Sequence, residues 1–83
     1  MEQDLRIFSD SEILEFYKSI SKKVRQMRED RNISQLEMAL RIDIKSVAFY
    51  SNCENNKYGK HFNLEHLYKI AKVLDIELKD IFM

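Results

Sequence analysis

Apolar residues recur along this chain at spacings of three and four, and no run of alternating β-branched residues interrupts them, so the pattern predicts helices throughout. Ile13, Phe16 with Tyr17, Ile20, Val24 and Met27 draw one stripe on a helix running from residue 10 to about 31. Ser9 followed by Glu12 is a capping box that starts it. Ser19 and Ser21, weak helix formers, mark where an added first helix would meet the one proper to the domain. Leu5, Ile7 and Phe8 precede this signal, and residues 1 to 8 read as an arm.

Ser34 with Glu37 forms a second capping box for a helix reaching about Arg41, with Leu36, Ala39 and Leu40 facing inward. Asp43, Ile44 and Lys45 then make a turn, Ile44 plugging inward, and Ser46 caps a third helix from 47 to about 54. In that helix Tyr50 and Cys53 point to the core, which leaves Val47, Ala48, Phe49, Ser51 and Asn52 facing out. Asn55 and Asn56 tolerate the left-handed backbone that ends a helix, and Gly59 is the hinge of the loop that follows. Asn63 caps a fourth helix with Leu64, Leu67, Ile70, Ala71 and Leu74 on its apolar face. Ile76 fills the core, and a last short helix at 78–82 closes it with Leu78, Ile81 and Phe82.

Two short helices joined by a turn, with the small Ala39 where they would cross, have the proportions of a helix-turn-helix unit. Such a unit cannot bury a core alone, so the flanking segments are its support. Eighty-three residues make one small domain, without room for a cleft between lobes. No Pro and a single Gly strengthen the all-helical reading. One cysteine, Cys53, excludes an internal disulfide and fits a reducing, cytoplasmic setting with the thiol in the core. The apolar runs are short and the first residues acidic, unlike a membrane span or an export signal.

Fourteen basic side chains balance fourteen acidic ones, which by itself argues against a nucleic-acid partner. Their distribution reverses that. Residues 1 to 16 hold one Arg against five acids, whereas residues 17 to 33 hold Lys18, Lys22, Lys23, Arg25, Arg28 and Arg31 against Glu29 and Asp30. Lys57 and Lys60 add charge just past the third helix, so cations flank the central unit on both sides.

Residues 20 to 82 resemble the XRE family, the λ-repressor and Cro-like helix-turn-helix domains. The likeness rests on VRQMREDRNISQLEMA for the first two helices, on Cys53, Glu54 and Asn55 ending the third, and on NLEHLYKIAKVLDIELKDIF for the last two. Where the family usually has Gly in the turn, this chain has Asp43 and Ile44, with one extra residue near Lys45. The resemblance implies an all-α, five-helix λ-repressor-like bundle, here with an N-terminal helical extension: residues 1–18 as arm and extension, 19–83 as the DNA-binding domain.

A helix of this kind lies in the major groove with its N-terminal half against base edges. The base-reading set is then Lys45, Ser46, Val47, Ala48, Phe49, Ser51 and Asn52. Asn pairs with adenine, and Val, Ala or Phe meet only a thymine methyl, so the site should lean to A/T. Gln35 resembles the family glutamine that donates to a backbone phosphate, and its place at a helix start favours an anion. Lys22, Arg25, Arg28, Lys57, Lys60 and His61 are the remaining backbone candidates. His61 and His66, five apart with no third ligand, do not suit a metal, and no nucleophile with a base, paired carboxylates or phosphate-cradling Gly loop appears. No enzyme and no cofactor is expected.

One domain reads few base pairs, so a homodimer on a palindromic double-stranded DNA operator, half-sites about 34 Å apart, is the expected repressor. Its interface is either the N-terminal arm and helix or the C-terminal helix. The alternatives are a restriction-modification controller, an antitoxin whose N-terminal segment binds a toxin, and an interaction module that has lost DNA binding.

Overall fold

The computed structural model describes residues 7–83. Four α-helices follow in order: α1 Asp10–Asp30, α2 Gln35–Arg41, α3 Val47–Asn55 and α4 Leu64–Leu74. Two single 3-10 turns, Lys57–Gly59 and Leu78–Ile81, complete the described residues, which contain no strand. The expected fifth helix is therefore a 3-10 turn: its four residues are too few to close successive α-helical bonds after the reversal at Asp75. Leu5, part of the expected arm, lies outside the described residues, whereas Ile7 and Phe8 are exposed.

The helix starts follow the expected N-caps, but Ser9/Glu12 and Ser34/Glu37 make only the serine half of the expected capping box, and the reciprocal pair forms at Asn63/His66 instead. The hydroxyls of Ser9, Ser34 and Ser46 and the amide oxygen of Asn63 accept from the backbone N–H three residues on. The ends of α1, α2 and α4 share one device. Asn32, Asp43 and Asp75 adopt left-handed backbone, and Ile33, Ile44 and Ile76 directly after them donate back to the carbonyls of Arg28, Ala39 and Ala71. Short polar side chains tolerate that conformation, and each following isoleucine packs on the core, so the chain turns three times without glycine.

α1 runs without a break across Ser19 and Ser21, and the 18/19 boundary falls inside it. Ser21 is buried, small enough to let α3 approach, and its hydroxyl donates to the Cys53 carbonyl at 3.2 Å. The core joins Ile20 and Val24 of α1, Met38, Ala39 and Ile42 from α2 and its end, Tyr50 and Cys53 of α3, and Leu67, Ile70, Ala71 and Leu74 of α4, with Phe62 and Ile81 closing it.

Four inward assignments fail, among them Phe82, which is 45% exposed just past the last 3-10 turn. Leu36 and Leu40 are 54% and 65% exposed, because α2 turns the face carrying Met38 and Ala39 to the core. Leu64, 73% exposed, opens α4 ahead of the first covered turn. The apolar stripe of α1 is likewise buried only from Ile20 onward: Ile13 beside the 56–61 loop and Phe16 at the rim of a groove with Leu64 and Phe82 are covered only in part and stay exposed.

Candidate nucleic-acid interface

The turn between α2 and α3 is compact because both of its isoleucines are used inside. Ile42 and Ile44 are buried on either side of Asp43, whose left-handed backbone takes the place that a glycine would fill. The Ile44 N–H closes onto the Ala39 carbonyl at 2.8 Å, and Ser46 then caps α3. This fixes the rotation of α3. Tyr50, Cys53 and Glu54 face in, while Val47 and Ala48 are exposed and Ser51 and Asn52 half-exposed along the opposite side. Lys45 and Ser46 stand exposed at its N-terminus, although the Ser46 hydroxyl is engaged as the cap. Phe49 departs from the expected set. It is half-buried against the core, its ring edge-on to His66 at 6.1 Å, because position 49 lies on the flank that leans toward α4.

Behind α3 sits a buried carboxylate, Glu54, whose role the sequence pattern did not expose. Arg28 of α1 donates to it twice at 2.9 Å, Gln35 of α2 at 3.1 Å, the Tyr50 hydroxyl at 2.7 Å and Arg25 at 3.3 Å. Burial alone would lift the Glu54 carboxyl, but the hydrogen bonds of Arg28, Tyr50 and Gln35, with the Arg28 charge, outweigh it and hold it below the ordinary glutamate range. The same contacts raise the Arg28 guanidinium, while burial and then the Glu54 charge push the Tyr50 phenol up. One signal was present: Glu54 is the only acid between Asp43 and Glu65, four residues after an inward tyrosine.

The backbone candidates divide accordingly. Arg28 is buried, and it also donates to the Ile33 carbonyl at 2.7 Å, so its guanidinium is turned into the protein and it is removed from the phosphate set. Gln35 braces the end of α3 through Glu54. Arg25 is half-exposed and also reaches the Glu54 carbonyl and the Asn55 side chain. With Lys18 and Lys22 it borders a cleft of about 330 Å³ against Asn55 and Asn56. Lys57 is exposed. Lys60 and His61 lie across Asn56 from that cleft, His61 stacked on Tyr17 at 3.9 Å between ring centres. Of the candidates, Lys22, Arg25, Lys60 and His61 thus gather about the C-terminal end of α3, on both sides of Asn56.

Cys53 is buried, and burial raises its thiol against the opposing pull of Lys60. His66 serves α4: its ring Nδ1 accepts from the Asn63 N–H at 3.1 Å. Among the described residues no group of three metal-binding side chains converges, and no helix is long and apolar enough to cross a membrane.

A short capped helix held by a three-residue turn, with its outer face free and its inner face tied to two other helices, defines a helix-turn-helix protein. Residues 24–81 match the family model described as helix-turn-helix (HTH_3), more than half of the chain, and the protein belongs to this XRE-type family of DNA-binding regulators. No curated protein and no solved structure gives a significant match.

Proposed function

We propose that the protein is a dimeric repressor that reads a palindromic, A/T-leaning operator with the outer face of α3. The observation carrying this reading is the division of labour in α3: five donors converge on Glu54 from behind, while Val47, Ala48, Ser51 and Asn52 are left accessible in front. Val47 and Ala48 offer methyl groups to thymine, and Asn52 has the two-sided amide that adenine takes. Lys22, Arg25, Lys57 and Lys60, with the Gln35 amide, supply the phosphate contacts that set register.

Selection of binding sites from random duplex DNA by the purified chain, with its mass measured in solution, tests the reading. A two-fold-symmetric, A/T-leaning consensus bound by a dimer is expected, and recovery of random sequence would overturn it. A second reading, an antitoxin, is favoured by the exposed Ile7, Phe8 and Ile13 in an acidic N-terminal stretch. It requires a toxin partner, and a neighbouring gene for a small basic protein would point to it.

A further inference from the structure

The first two turns of α1 precede the family match and carry Ile13, Leu14 and Phe16 exposed to solvent. Phe16 is 52% exposed. It stands in a row with Glu12, Ser19 and Lys23, separated by four, three and four residues, and such spacing keeps them on one line of an α-helix, as in a coiled-coil seam. The row reads the same in both directions. Turned end for end, Glu12 falls where Lys23 was and Phe16 where Ser19 was.

Two such helices laid antiparallel therefore set each Glu12 against the other copy's Lys23, and each Phe16 against the other copy's small Ser19. Among the described residues neither Glu12 nor Lys23 has an ion-pair partner. The Ser19 hydroxyl already donates to the Phe16 carbonyl at 2.7 Å, so closing the seam strands no polar group. Beside the row, Phe16, Leu64 and Phe82 border a largely apolar groove of about 240 Å³. None of these residues belongs to α2 or α3.

We infer that α1 is the self-association seam of this protein: a second copy of the chain packs its own α1 antiparallel on the Glu12, Phe16, Ser19 and Lys23 row, with Phe16, Leu64 and Phe82 as the apolar shoulder. The inference rests on the dimer reading above and names its surface. The interface buries aromatic and apolar area, while charge complementarity fixes direction and register. It draws on no residue of the reading face.

The test is sedimentation of the full chain over a range of concentrations, with circular dichroism as the check on folding. The wild type is expected to be dimeric, and Phe16→Asp should raise the dissociation constant at least about tenfold. Glu12→Lys and Lys23→Glu should each weaken the dimer, since two like-charge pairs then face each other across the two-fold axis. The double variant Glu12→Lys/Lys23→Glu should return to within about threefold of wild type, because opposite charges again meet. These two positions are not in the core, so the charge exchange remains decisive even if Phe16→Asp unfolds. A monomeric wild type, a folded Phe16→Asp chain that dimerises normally, or a double variant no tighter than the singles would overturn the seam. A dimer that selects no duplex would sink the operator reading and leave the seam standing, whereas a monomer that selects duplex would overturn the seam and the dimer with it and leave only base reading by α3.

Discussion

The two faces of α3 differ in how completely they are constrained. On the inner face Tyr50, Cys53 and Glu54 are sealed, and the carboxylate is gripped by Arg28, Gln35, Tyr50 and Arg25. On the outer face Val47 and Ala48 touch solvent, and the Asn52 amide makes no side-chain hydrogen bond among the described residues. The residues that fix the helix and those proposed to read DNA are therefore separate, only a few places apart. Substitutions on the two faces should fail differently.

The largest effect is expected behind the helix. Arg28→Ala removes both charge-assisted bonds from a buried carboxylate and should cost roughly 3–5 kcal/mol in urea unfolding, a large part of the stability of so small a domain. A loss under about 1 kcal/mol would mean that Arg25 takes over the site. The same junction predicts an acid response. Because the folded Glu54 carboxyl titrates below its ordinary value near 4.5, its contribution is complete above that value and is lost as pH falls through the lower folded one. Thermal unfolding followed down the pH scale should show that loss, and Glu54→Gln, less stable at neutral pH, should show a flatter profile.

In front of the helix the expected effects are smaller and lie in binding. Asn52→Ala should relax preference at one base pair by about 1–3 kcal/mol in competition assays while changing unfolding by less than about 1 kcal/mol. Equal weakening on every sequence would show that Asn52 does not read a base. Lys57→Ala is the mildest. Removing one phosphate contact should lower the slope of log affinity against log salt by about 0.9, and an unchanged slope would take Lys57 out of the interface.

Local chemistry made the helix starts and turns legible. Ser9, Ser34, Ser46 and Asn63 act within three residues of themselves, and a cap needs no distant partner. Phase in a short helix is another matter. In seven residues both Leu36, Ala39, Leu40 and Met38, Ala39, Ile42 satisfy a 3.6-residue period, and only the cover supplied by α3 and α4 decides between them. Arg28 looked like one more solvated cation because its partner lies 26 positions away. In α3 the pattern places Tyr50 and Cys53 inward as the structure does, but it leaves the buried Glu54 without a role and turns Phe49 outward, on the flank where one residue's rotation changes the answer.

The Glu54 junction bears on how this protein can change over generations. Since the anchor uses Arg28, Gln35 and Tyr50 rather than the outward side chains, residues 47, 48, 51 and 52 are open to exchange while the scaffold stays intact. On the proposed reading of α3, a lineage could retarget itself to new DNA sequences by small steps at these positions, and a laboratory could do the same by grafting a foreign quartet onto an otherwise untouched frame.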